Sequence, residues 1–339
     1  MDRNDVHRLL LAALLGTCGF AWASCEGDSD LQGPGTTTAT GGSAAGGGGA
    51  GGVGGVPAGG SGGAGGAIGG AGGAGGAVPV TDFAAPGPYT VTSADGQQPT
   101  ANCGIFGQMD YTLYTPDGGQ NAPLVVLGHG FQRGRANMAE MAQHMASYGL
   151  RVVTPDYCHA TAIDSNPQQN ATDQVALGHA LSSGALVIHA GHSAGGLASI
   201  LAAAADTDAV ALLALDAVDN NGAGAAAAPG VGLPAFGIDG EPSNCNQNNN
   251  NGTHLAKLVP GGSAVLAVGA QHCDFEGPTD LLCTGVCGEG PGQQREIIRT
   301  LGTAFVAWRA GIDPTGEDWV TPAGTSYQSL VGAGTIQTL

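Results

Sequence analysis

A serine hydroxyl is a poor nucleophile at neutral pH unless a base lies beside it. Strained turns that hold it above a sheet edge are where such serines sit. The segment Ala185–Ala205, ALVIHAGHSAGGLASILAAAA, offers such a turn at Gly191-His192-Ser193-Ala194-Gly195. A β-branched apolar run precedes it and an Ala/Leu-rich, helix-forming stretch follows, so Ser193 falls at the apex of strand, turn and helix. The glycines two residues on either side are needed where the helix folds back on the strand and a Cβ would collide. The helix points free N–H groups at the serine, where negative charge is welcome. In a chain with 63 glycines the pattern could arise by chance; the flanking strand and helix, and the crowding of glycine into residues 33–77, argue that it did not.

A nucleophilic serine needs a histidine to take its proton and an acid to orient that histidine. Of nine histidines, His272 is the one that follows the Ser193 strand at the end of a further strand, in Gly269-Ala270-Gln271-His272. His254 sits in a polar insertion with no strand before it. His192 adjoins the serine, but neighbouring side chains diverge on such a turn, so packing is its expected role. His129 is expected to bond within its own loop. Two places offer the acid: Asp216, after the strand that follows the nucleophile, and Glu241 with Asp239, after the next one. Asp219 lies a step further into the first loop, and spacing alone does not choose among them. Developing negative charge on a substrate oxygen would need two N–H donors. Ala194 supplies one by position, and Phe131 or a neighbour, in the loop Gly128-His129-Gly130-Phe131, supplies the other.

These residues need a sheet beneath them. Tyr89–Ser93 and Met109–Tyr114 read as two entry strands. Leu124–Leu127 is a continuous apolar run, the mark of a strand buried on both faces. Ala136–Ser147 has helical spacing, with Met138, Met141 and Met145 on one face as core. Arg151–Pro155 is a strand, Asp173–Leu181 a helix, and Ala209–Leu215, Leu233–Ile238 and Ser263–Val268 further strands, the last of these ending the sheet. Glu296–Trp308 closes the domain as an amphipathic helix, with Ile297, Ile298, Leu301 and Phe305 inward. Strands alternating with helices predict an α/β fold with a mostly parallel sheet and helices on both faces. Catalytic groups in such sheets lie at the carboxyl ends of strands. His129, Ser193, Asp216, Glu241 and His272 all fall there.

Taken in order, Gly128-His129-Gly130-Phe131, Gly191-His192-Ser193-Ala194-Gly195-Gly196, Leu215-Asp216-Ala217-Val218 and Gly269-Ala270-Gln271-His272 resemble the α/β-hydrolase superfamily. The likeness covers most of residues 85–310 and is to the branch of chlorophyllases, platelet-activating-factor acetylhydrolases and cutinase-type poly(ethylene terephthalate) hydrolases. The resemblance implies an α/β-hydrolase fold and cleavage of carboxylic esters, lipid-like or polyester, through an acyl-enzyme. It favours Asp216, the acid position of the chlorophyllases and acetylhydrolases, although Asp239-Gly240-Glu241 is similar to the acid region of the polyester hydrolases. The Asn-rich stretch Asn246–Asn251 matches none of these groups. Two other readings stay open: a non-catalytic surface-binding module on the same fold, and hydrolysis of a lactone or amide by the same residues.

The rest of the chain sets the context. Residues 1–25 have a basic start and a short apolar core from Leu9 to Ala21, an export signal rather than a membrane span. Ala23-Ser24-Cys25 resembles the end of a bacterial lipoprotein signal, with Trp22 as a departure; a lipidated Cys25 would tether the protein to a membrane, and without lipidation it would be secreted. Residues 26–79 are a Gly/Ala-rich linker with little to bury, leaving 80–339 as one catalytic domain. A net charge of −18, from 9 Lys+Arg against 27 Asp+Glu, disfavours nucleic acid as a partner. The expected partner is an ester, small or polymeric, met by a monomer through an open cleft, since no long insertion between Tyr157 and Ala185 provides a lid. Six cysteines, Cys103, Cys158, Cys245, Cys273, Cys283 and Cys287, in an exported domain predict disulfides, with Cys245–Cys273 and Cys283–Cys287 as the expected local pairs. No Cys-x-x-Cys pair with matching histidine spacing is present, so neither metal nor cofactor is expected.

Overall fold

The apolar runs pair into one large sheet in a computed structural model that describes residues 79–287 and 294–339. The segments read as an export signal, with Cys25, and as a linker up to residue 78 lie outside the described residues. The strands are β1 (Val91–Pro99), β2 (Gln108–Pro116), β3 (Leu124–Gly128), β4 (Arg151–Pro155), β5 (Val187–His192), β6 (Ala209–Leu215), β7 (Ala235–Asp239), β8 (Ser263–Ala267) and β9 (Ile336–Thr338). They lie in the order β1-β2-β4-β3-β5-β6-β7-β8-β9. Neighbours from β4 to β8 are parallel, while β1, β2 and β9 pair antiparallel at the two edges. This is an α/β fold with a mostly parallel sheet.

The principal helices are α1 (Ala139–Ser147), α2 (Pro167–Ser182), α3 (Ala194–Ala205), α4 (Leu281–Cys287), α5 (Arg295–Arg309) and α6 (Thr325–Gly332). Alternation along each strand sends side chains to opposite faces. Val125 and Leu127 of β3 join Met141 and Met145 of α1 and Leu301 and Phe305 of α5 in one core layer. Leu124 and Val126 join Leu177 of α2 and Ala198 of α3 in the other. Each aliphatic side chain so buried contributes about 1.5–3 kcal/mol. The methionines at 138, 141 and 145 are core, at 0%, 5% and 0% exposure.

Several boundaries depart from the sequence reading. The first strand starts two residues late and runs on to Pro99, because it pairs with β2 along its whole length. Helix α2 begins at Pro167 rather than Asp173; Asn166 caps it by accepting from the Gln169 N–H at 3.2 Å, and Pro167 suits its first turn. Ser263–Val268 does not end the sheet, and the 296–308 helix does not close the domain. The chain continues through α6 to β9, which pairs with β8.

The disulfides also differ from expectation. They are Cys103–Cys158, Cys245–Cys287 and Cys273–Cys283, not Cys245–Cys273 and Cys283–Cys287. The physical reason is α4: its turn brings Cys283 back onto Cys273 and directs Cys287 toward Cys245. Cys273, Cys283 and Cys287 do cluster, but each sulfur is already in a disulfide and offers no thiolate.

Candidate active site

The order of strands decides where a site can form. From β3 the chain passes to β4 on one side and then to β5 on the other, so the connections that leave the paired strands β3 and β5 run in opposite directions, a topological switch point of the kind at which ligands bind in such sheets. Gly128-His129-Gly130-Phe131 leaves β3 there, and Ser193 leaves β5.

Ser193 has φ 57° and ψ −121°, a conformation that costs a non-glycine residue about 1–3 kcal/mol. The turn is over-determined by its neighbours. The Ser193 N–H donates to Leu215 O at 3.0 Å, and its carbonyl accepts from Val218 N and Leu197 N, both at 3.1 Å. A Cβ on Gly191 would stand 2.3 Å from Gly195 O, and one on Gly195 would stand 2.5 Å from Gly128 C. The close approach read from the sequence is therefore real: strand, helix and the β3 loop meet around the serine without room for a methyl group.

His272 begins a short turn, His272–Phe275, after β8. Its Nε2 lies 3.0 Å from Ser193 Oγ, and its Nδ1 lies 2.6 Å from Asp216 Oδ2. All three side chains are buried, Ser193 at 6% exposure. Asp216 also has positive φ, 41°, fixed by its N–H to Ile238 O at 2.7 Å. Its Oδ1 accepts from Gly240 N at 3.0 Å. Glu241 is turned elsewhere, accepting the Gly269 N–H at 2.8 Å. Asp239 pairs with His254 at 2.6 Å; burial holds its carboxyl above the usual range, against the pull of that pair. Asp219 accepts from Gly224 and Ala225 N–H groups and shapes its own loop.

His129 and His192, the histidines of the two loops beside the serine, are held by packing and hydrogen bonds. His129 is buried and neutral: burial lowers its pKa, Nδ1–H donates to Gly130 O at 2.8 Å, and Nε2 accepts from Tyr157 N at 3.1 Å. His192 packs between His272, centroids 4.6 Å apart, and Phe275, stacked at 5.9 Å. Burial first, and the adjacent His272 second, hold its pKa well below 6.5.

Comparison with protein-family models and with curated proteins finds no match for this chain. The site is therefore argued from its own geometry.

Asn246 belongs to the site and was missed from sequence. It is 1% exposed; its Nδ2 donates to both Asp216 oxygens, at 3.2 and 3.3 Å, and to Glu241 O at 2.9 Å. The Asn-rich stretch that holds it has a reason as well. Gln247 to Asn251 all take positive φ, between 51° and 57°, and asparagine tolerates that region better than other side-chain-bearing residues. From this left-handed turn Asn250 accepts from Asp219 N at 2.8 Å and donates to Ala217 O at 2.9 Å, tying down the loop that begins at Asp216. The legible signal was the run of asparagines itself.

The two expected N–H donors belong to segments that adjoin the serine. Ala194 is the first residue of α3, where a helix has no internal acceptor for its N–H. Phe131, 42% exposed, follows Gly130, whose added Cβ would be only 3.1 Å from Ser193 Cβ.

Proposed function

We propose that this protein is a serine hydrolase with the α/β-hydrolase fold, cleaving carboxylic esters through an acyl-enzyme. The observation that carries the reading is the hydrogen-bonded line Ser193 Oγ–His272 Nε2, His272 Nδ1–Asp216 Oδ2, at 3.0 and 2.6 Å. In the proposed cycle Ser193 Oγ attacks the ester carbonyl as His272 Nε2 takes its proton. Asp216 holds the imidazole in the tautomer with Nδ1–H and stabilises the imidazolium. The Ala194 and Phe131 N–H groups receive the negative charge on the carbonyl oxygen. Collapse expels the alcohol, which takes the proton from His272. Water, deprotonated by the same nitrogen, then releases the acid and restores Ser193.

Export, with or without a tether at Cys25, would deliver this chemistry outside the cytoplasm, and three disulfides suit an oxidising compartment. The test is turnover of 4-nitrophenyl acetate by Ser193→Ala, with circular dichroism as the control for folding. The reading expects a loss of roughly 10⁴-fold or more in kcat/KM; turnover unchanged in a folded variant refutes it. A panel of esters, lactones and amides then identifies the acyl bond.

A further inference from the structure

The loops that carry Phe131 and His272 leave β3 and β8, and β5, β6 and β7 lie between those strands. No ladder bond of the sheet sets one loop against the other. An ion pair does. Arg133 Nε donates to Glu276 Oε2 at 2.7 Å and its Nη2 to Glu276 Oε1 at 2.5 Å, a bidentate fork. Its Nη1 donates to Asp280 at 3.0 Å. The Arg133 and Glu276 side chains are 7% and 0% exposed. Around them the backbones join: Gly277 N donates to Asn137 O at 2.6 Å, and Glu140 N to Gly277 O at 2.8 Å.

The stem of Arg133 reaches the serine's own wall. A Cβ on Gly130 would stand 3.1 Å from Ser193 Cβ, 3.4 Å from Arg133 Cγ and 3.4 Å from His192 Nδ1. Gly130 is thus caught between the arginine stem and the nucleophile, and Phe131 is the next residue. At the other end, Glu276 lies four residues after His272, in a segment stapled by Cys273–Cys283 and, through α4, by Cys287 to Cys245, the neighbour of Asn246. Stability alone is a weak reason to keep such a pair. Removing two charges from water costs several kcal/mol per ion, and well-packed apolar residues often do as well or better. What apolar residues lack is the directional fork.

We infer that Arg133 and Glu276 are positioning residues: their ion pair fixes the Gly128–Arg133 loop, and with it the Phe131 N–H, relative to Ser193 and His272. The inference rests on the hydrolase reading above. A shift of about 1 Å in such a donor, or loss of one donor, costs roughly 10²-fold in rate, so disruption should lower kcat and leave KM nearly unchanged.

The experiment uses the full chain and three variants: Arg133→Lys, Glu276→Gln and the double variant Arg133→Met/Glu276→Leu, which removes both charges together. Active sites are titrated to completion with a fluorophosphonate, kcat per titrated site is measured on 4-nitrophenyl acetate, and the affinity of phenylboronic acid reports the donors directly. The expected result for the double variant is full titration, kcat per site down roughly 10–100-fold with KM within about threefold, and boronate affinity weakened in step. Arg133→Lys, which keeps the charge and loses the fork, recovers part of the rate; it carries the comparison alone should the double variant not fold. Wild-type kcat per titrated site, whether titration is full or partial, means a merely structural pair and overturns the proposal while leaving the hydrolase reading intact. A wild-type chain that neither titrates nor turns over removes the reading beneath it.

Discussion

Asn246→Ala perturbs the acid without touching nucleophile or base. Its amide is one donor shared between the two Asp216 oxygens, at 3.2 and 3.3 Å, beside the Gly240 N–H and the His272 ring. Hydrogen bonds to a charged group contribute about 1.5–3 kcal/mol, and a long, divided one belongs at the low end. If about 1.4 kcal/mol of this is lost in the transition state, kcat falls about tenfold. Stability pays separately. Glu241 O loses its donor, and the Ser243 and Asn249 N–H groups lose the Oδ1 they reach at 2.8 and 3.1 Å; at about 1 kcal/mol each the cost is about 3 kcal/mol. Asn246→Asp sharpens the test. It keeps the acceptor for Ser243 and Asn249 but sets a second carboxyl against Asp216, where both cannot ionise. Holding one of the two protonated near neutral pH itself costs stability, so its stability loss should be no smaller than that of Asn246→Ala and its kcat loss larger. Steady-state kinetics per titrated site with urea melts of both variants make the check. Wild-type kcat in both would refute the view that Asn246 orients the acid.

Asp216→Asn should lower kcat by roughly 10³–10⁴-fold, and Glu241→Gln by less than about threefold, on the same ester assay; the reverse order would move the acid to the neighbouring loop. Replacing Cys103 and Cys158 by serine should cost about 4 kcal/mol by chain entropy for a separation of 55 residues. Replacing Cys273 and Cys283, 10 residues apart, should cost about 3 kcal/mol but lower kcat more, because Cys273 follows His272; melts and rates together test that inversion. Burial lowers the pKa of His129, His144 and His192 from 6.5, so below about pH 6.5 the unfolded chain binds protons that the fold refuses. Stability should therefore fall as pH falls, by up to about 1.4 kcal/mol per pH unit for each histidine. Urea midpoints that stay level from pH 7.5 to 5.5 would contradict this.

The parallel strands were legible because burial on both faces leaves uninterrupted apolar runs: Arg151–Pro155 and Ala209–Leu215 have the bounds read from sequence. Ser193, Asp216 and His272 could be nominated because each follows such a run. Other features depend on contacts that no local pattern carries. The cysteine partners follow from the path of α4 after His272, and four cysteines close together in sequence offer several pairings of equal plausibility. The start of α2 at Pro167 lies ahead of the apolar spacing and is marked only by the capping pair Asn166-Pro167. β9 is three residues long, too short for alternation to register. Arg133 and Glu276 are ordinary charges in sequence, 143 residues apart, and only the fold makes them a pair.

The most direct test of the central claim is the site of covalent capture. The folded chain, treated with a fluorophosphonate and mapped by tandem mass spectrometry, should carry one adduct, on Ser193 Oγ, with ester turnover lost in proportion to labelling. No adduct on the folded protein, or an adduct on another residue with turnover intact, would contradict it.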